Sequence, residues 1–118
     1  MESSGKIREF STGACRDYAE DKPQMELLPL ELLMRVSKWY GLGGKKYGNH
    51  NWRKGQPQSV CLGSMLRHIT KYVMGDDSED HLSAIVFNAL SMMNVDEYMR
   101  DNKDVYDLES RKQNVINQ

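Results

Sequence analysis

Leu62, Met65, Leu66, Ile69 and Val73 recur at offsets of 0, 3, 4, 7 and 11, the spacing at which side chains line one face of an α-helix. Ser59 precedes this stripe as an N-cap and Gly75 ends it. The same period marks two more segments. Leu32, Leu33, Val36, Trp39 and Tyr40 define a first helix over residues 29–41, with Pro29 in its first turn and Gly41, Gly43 and Gly44 closing it. Leu82, Ile85, Val86, Ala89 and Met93 define a third over residues 79–99. No run shows the alternation of a strand, and no internal repeat is present, so the pattern predicts an all-α bundle of three main helices.

The flanks read differently. Residues 1–24 are polar with few apolar anchors, and predict an extended segment whose first 11 residues are flexible. The helical domain then covers residues 12–99. Beyond Arg100 the polar run DNKDVYDLESRKQNVINQ, with Val105, Leu108 and Val115 at loose helical spacing, predicts a marginal fourth helix or a tail docked on a partner. Each apolar stripe is wide for a chain of 118 residues. Burial by a second copy, and hence a homo-oligomer, is the expectation.

Charge excludes some partners. With 16 basic against 17 acidic residues, no global field draws the chain onto duplex nucleic acid or an anionic membrane, so any anion site must be local. No segment reaches the roughly 18 apolar residues of a membrane span, and the N-terminus lacks the features of a signal peptide. Cys15 and Cys61 have no C-x-x-C or zinc-finger spacing, which suits a reducing, cytoplasmic setting.

Chemistry-bearing residues collect in three places. In KKYGNHNW, residues 45–52, and in Arg53 beyond it, cations interleave with Tyr47 and Trp52, a mixture suited to a nucleotide. Ser64, Arg67, His68 and Lys71 form the polar face of the second helix, either a phosphate-neutralising surface or a solvated one. His81 and Asn88, seven residues apart, project from one side of the third helix, with Ala84 leaving room for a flat ligand or a neighbouring chain. The cluster Asp76, Asp77, Glu79 and Asp80 offers either hard oxygen ligands for magnesium or ordinary helix-capping groups. Glu31, Arg35 and Lys38 share a flank of the first helix, facing solvent or the same cavity. No G-x-S-x-G elbow or P-loop motif is present, leaving metal-assisted attack by water as the economical hydrolytic mechanism.

Taken in order, TGACRDYAEDKP (12–23), ELLPLELL (26–33), GGKKYGNHNWRKG (43–55), LRHITKYVMGDD (66–77) and EDHLSAIVFNAL (79–90) resemble the small phage-type dATP/dGTP diphosphohydrolase family, grouped with the MazG-like all-α nucleotide pyrophosphatases. The resemblance implies cleavage of a deoxynucleoside triphosphate to monophosphate and pyrophosphate with Mg²⁺, or Mn²⁺ in its place. It implies that Arg16, Lys22, Lys46, Tyr47, Asn51, Trp52 and Asn88 bind the nucleotide, with Gly13 and Asp17 matching in the same N-terminal segment. It further implies metal ligation by Glu31, Asp77 and Asp80, and catalytic roles for Arg67, His68 and His81. Some relatives carry a longer loop before the histidine, and some a second histidine where Ala84 stands. The paired E-x-x-E and E-x-x-D arrangement of the wider group is missing. That departure motivates an alternative, a non-catalytic phage protein that sequesters a nucleotide, and a helical interaction module is a third reading.

Overall fold

The computed structural model describes residues 7–17 and 22–108, which divide into two units, residues 1–30 and residues 31–118. In the first, β1 (Ile7–Glu9) pairs antiparallel with β2 (Cys15–Asp17), opposing Arg8 to Arg16. The Phe10 N–H donates to the Ala14 carbonyl at 2.8 Å, and Gly13, at φ +88°, closes the turn. A 3-10 turn follows at Met25–Leu27. The segment is extended and locally paired, and its two strands escape the sequence pattern because three residues are too few to show alternation.

The second unit is helical, as the three apolar stripes require. After α1 (Leu30–Tyr47) come a 3-10 turn (Asn51–Lys54), α2 (Gln58–Val73) and α3 (His81–Tyr98). The all-α expectation holds here, but three local readings change. Gly41, Gly43 and Gly44 do not close α1, which runs on to Tyr47. The helix ends instead at Gly48, whose φ of +95° suits a residue without Cβ and whose N–H donates to the Gly44 carbonyl at 2.9 Å.

Ser59 is not the N-cap of α2. It lies inside the first turn, after Pro57, and Asp107 from far along the chain does the capping. The Asp107 carboxylate accepts from the Ser59 N–H at 2.9 Å and from the Ser59 hydroxyl, while the Gln58 N–H donates to the Val105 carbonyl at 2.9 Å. The segment after Arg100 forms turns as far as it is described, and buries Val105 and Tyr106 against Val95, with Met99 packed alongside. Residues 109–118, which include Val115, lie outside the described residues.

The third change concerns α3. Its buried stripe is His81, Ala84, Asn88, Ser91 and Val95, joined by Ser83 and Asn94, rather than the apolar one. Leu82, Val86, Leu90 and Met93 are exposed at 38%, 37%, 36% and 57%. Small residues let α2 and α3 approach closely, and the polar ones are internally satisfied. Asn88 Nδ2 donates to Ser64 Oγ at 3.2 Å and to the Ala84 carbonyl at 2.8 Å. Ser91 Oγ donates to the Phe87 carbonyl at 3.0 Å, and Gln58 Nε2 to the Met92 carbonyl at 3.1 Å. An apolar stripe therefore marks a helix without revealing which face meets its nearest neighbour.

Losing a helix N-cap generally costs about 1 kcal/mol, and here a part-buried donor loses its partner as well. Asp107→Ala is expected to lower unfolding stability by roughly 1–2 kcal/mol in urea titration, with Asp107→Asn recovering part of it.

Candidate functional site

Two glycine-terminated turns place the functional side chains. At the end of α2, the Gly75 N–H donates to the Tyr72 carbonyl at 3.0 Å and the Asp76 N–H to the Lys71 carbonyl at 3.0 Å. Gly75 takes φ +87°, so this is a Schellman turn, which fixes the direction of Asp76. Five residues on, Asp80 caps α3, its carboxylate accepting from the Ser83 N–H at 3.3 Å and the Ser83 hydroxyl at 2.6 Å.

Between these turns His81 is buried, with Nε2 2.5 Å from Asp76 Oδ2 and Nδ1 2.8 Å from His68 Nδ1. A carboxylate only accepts, so His81 Nε2 carries a proton and donates it to Asp76, while its Nδ1 faces His68 Nδ1. The hydrogen bond from His81 holds the Asp76 carboxyl below its ordinary range. Burial pushes the His68 imidazole down, favouring its neutral form. Glu79 Oε2 is 4.0 Å from His68 Nδ1, and one ligand atom each from His68, Glu79 and His81 lie within 4.8 Å of one another.

On α1, Arg35 reaches the α3 cap in a two-pronged pair, Nε and Nη2 donating to Asp80 Oδ2 and Oδ1 at 3.0 and 2.7 Å. These bonds hold the Asp80 carboxyl well below the usual carboxylate range. Nearby, Trp39 meets His68 edge-on at 5.8 Å.

Tyr40, Trp52 and Phe87 form an edge-on aromatic group, with centroids 5.7 Å apart for Tyr40–Trp52, 4.8 Å for Tyr40–Phe87 and 6.5 Å for Trp52–Phe87. Arg53 fixes the turn that carries Trp52. Its guanidinium covers the indole at 4.4 Å and its Nη1 donates to Asn94 Oδ1 at 3.2 Å, while Asn94 Nδ2 donates to the Arg53 carbonyl at 3.4 Å. Arg53, read from sequence as a cation for a ligand, is thus engaged in holding the loop.

These elements wall a cavity of about 830 Å³, within the size range of small-molecule sites. Of the residues singled out from sequence, Lys46, Tyr47, Asn51, Trp52, Ser64, His68, Glu79, Asp80 and Asn88 line it. His81 supports the wall from behind through His68. Glu31, Arg67 and Asp77 are exposed and do not line it. Arg16 lies in the first unit's hairpin, and Lys22 belongs to the same unit.

The set Glu31, Asp77 and Asp80 does not converge. Among the described residues His68, Glu79 and His81 are the group that could hold a metal, and both Asp80 oxygens already accept from Arg35. An all-oxygen cage suited to Mg²⁺ is therefore not formed by those three acids. Trp39, Tyr40 and Phe87 are site residues that the sequence does not single out, Trp39 and Tyr40 being read as part of a core stripe, while Ser64 is read only as a member of the polar face of α2. Asp76 and Glu79 are read only as members of an acidic cluster. Their offsets of five and two from His81 were the available signal.

A model of the dATP/dGTP diphosphohydrolase N-terminal family matches residues 12–105. The chain belongs to this family. No curated protein and no solved structure gives a significant match. In this family member the matched span leaves out β1, takes in β2 and all three helices, and ends at Val105, whose carbonyl anchors the start of α2. No helix among the described residues is long and apolar enough to cross a membrane.

The depressed Asp80 carboxyl carries a sign. Its contribution to stability is present above the ordinary aspartate pKa of about 3.9 and is lost as pH falls below it toward the folded-state value. Wild type is expected to exceed Asp80→Asn in thermal stability at pH 7, with the gap closing below about pH 4. A gap independent of pH would assign the loss to packing.

Proposed function

We propose that the protein cleaves a purine deoxynucleoside triphosphate to the monophosphate and pyrophosphate inside this cavity. The observation that carries the reading is one cavity lined both by the Tyr40–Trp52–Phe87 group and by His68, Glu79, Ser64 and Asn88, in a chain whose family is described as acting on dATP and dGTP. The aromatic group supplies a surface on which a base can stack. Lys46 is the cavity-lining cation, suited to the charge that builds on departing pyrophosphate. His68, on the cavity wall, can position a phosphate. Tyr47 and Asn51 contact the nucleotide from the α1 terminus and the 3-10 turn. Magnesium, in this reading, arrives on the triphosphate, as that ion commonly binds through substrate phosphates.

Purified protein supplied with Mg²⁺ or Mn²⁺ should release pyrophosphate from dATP or dGTP. Trp52→Ala should weaken nucleotide affinity about ten-fold, since base stacking is worth roughly 1–3 kcal/mol. Lys46→Ala, at an exposed position that leaves packing alone, should weaken triphosphate binding more than nucleoside binding. Tight binding with the nucleotide recovered unchanged would favour the sequestering alternative. Absence of both binding and turnover would leave the interaction-module reading.

The second part of the proposal is self-association. α3 buries its small and polar stripe within the chain and turns Leu82, Val86, Leu90 and Met93 outward, while Leu66, Ile69 and Val73 on α2 are also exposed. A second copy would cover these apolar faces with like surfaces. Light scattering should give at least a dimer, and Val86→Lys combined with Leu90→Lys should give a monomer of unchanged helicity. A monomeric wild type would defeat this part.

A further inference from the structure

We infer that His68, His81 and Glu79 form a site for a borderline transition-metal dication, a resident ion distinct from magnesium carried by substrate. The site lies on the wall of the cavity assigned above to the nucleotide, and so deepens that reading, although ion binding itself stands on the local geometry alone.

Three features support it. Two imidazole nitrogens and a carboxylate oxygen converge within 4.8 Å. Ligands about 2.0–2.1 Å from a common ion, spaced between right angles and tetrahedral angles, lie about 2.9–3.4 Å apart. His68 Nδ1 and His81 Nδ1 at 2.8 Å need separate only by a few tenths of an ångström, and the exposed Glu79 side chain, 4.0 Å from His68 Nδ1, can swing to close the set.

The second feature is Asp76. Metal-ligating histidines usually donate their other ring N–H to a carboxylate, which fixes the tautomer and strengthens the ligand. His81 Nε2 to Asp76 Oδ2 at 2.5 Å has this arrangement, leaving Nδ1 as the ligating atom. Asp76 is in turn held by the Ser78 hydroxyl at 2.8 Å and by the Gly75 turn.

The third is access. His68 and Glu79 line the cavity while His81 is buried, so an ion there would have protein on one side and open coordination positions on the other. Structural zinc sites are closed by four protein ligands, whereas three ligands with an open position suit an ion that meets a phosphate oxygen or water. Two nitrogens and one carboxylate favour Zn²⁺, Co²⁺, Fe²⁺ or Mn²⁺ over Mg²⁺, which prefers oxygen throughout.

The test uses the full chain, stripped with chelator and titrated with Co²⁺ alone. Expected are one Co²⁺ per chain, visible d–d absorption, and displacement by Zn²⁺ but not by millimolar Mg²⁺. Glu79→Gln, at an exposed position, should weaken Co²⁺ affinity at least ten-fold while leaving circular dichroism unchanged. Asp76→Asn should weaken it about 10–100-fold, as second-sphere carboxylates commonly do. His68→Ala should abolish the absorption.

Folded wild type that binds no Co²⁺, or a His68→Ala variant that binds it unchanged, would overturn the site. The two readings fail separately: pyrophosphate release by a protein that binds no Co²⁺ removes the metal site alone. Stoichiometric Co²⁺ binding without any nucleotide affinity removes the nucleotide reading alone.

Discussion

Everything that positions the cavity depends on the seat of α3 against α2 through small and hydrogen-bonded side chains. Ala84, Ser91 and Val95 are fully buried, and Asn88 between them is tied to Ser64 on α2. A stripe of leucines there would hold the helices farther apart and would leave no polar group facing inward. The close, polar seam places His81 within reach of His68 and directs Asn88 to the cavity. Its counterpart is an outward face of Leu82, Val86, Leu90 and Met93. The cavity-side seam and the exposed apolar residues thus occupy different sides of one helix.

The N-terminus of α3 acts as the junction of the helical unit. Asp80 is at once the helix cap, the partner of Arg35 on α1 and a cavity residue. One position later His81 joins the Asp76 turn to His68 on α2. A carboxylate that neutralises a guanidinium and satisfies a helix end has little coordination capacity left, whereas Glu79 keeps its own. Glu79 and Asp80, adjacent in sequence, therefore divide into a ligand and a strut.

Much of this was legible in the sequence and some of it could not be. Helical periodicity located α2 and α3 to within two residues at most ends, since three sustained stripes outweigh any local ambiguity. The end of α1 was misplaced because Gly41, Gly43 and Gly44 read as breakers. In the fold they keep helical geometry and line the cavity, and Asn49 packs where a Cβ on Gly44 would stand. The loop residues Lys46, Tyr47, Asn51 and Trp52 were recognisable from their chemistry and from the family's motifs. The His68–His81–Glu79 convergence was not, because it joins residues 11 to 13 positions apart through a turn whose path is set by the φ of Gly75. Periodicity also could not say which face of α3 would be inside, because it registers apolar residues, and the inner seam here is small and polar.

The cap that Asp107 provides to α2 bears on the order in which the chain assembles. It joins residues 48 positions apart, and between them lie nearly all of α2 and the whole of α3. Closing so long a loop before its interior is ordered carries an entropic cost that one hydrogen-bonded carboxylate cannot offset. Pairing of the two helices through their short connection at residues 74–80 shortens the effective loop first. The turn bearing Val105, Tyr106 and Asp107 then fastens a helix pair that already exists, making it a late latch on the fold rather than part of its nucleus.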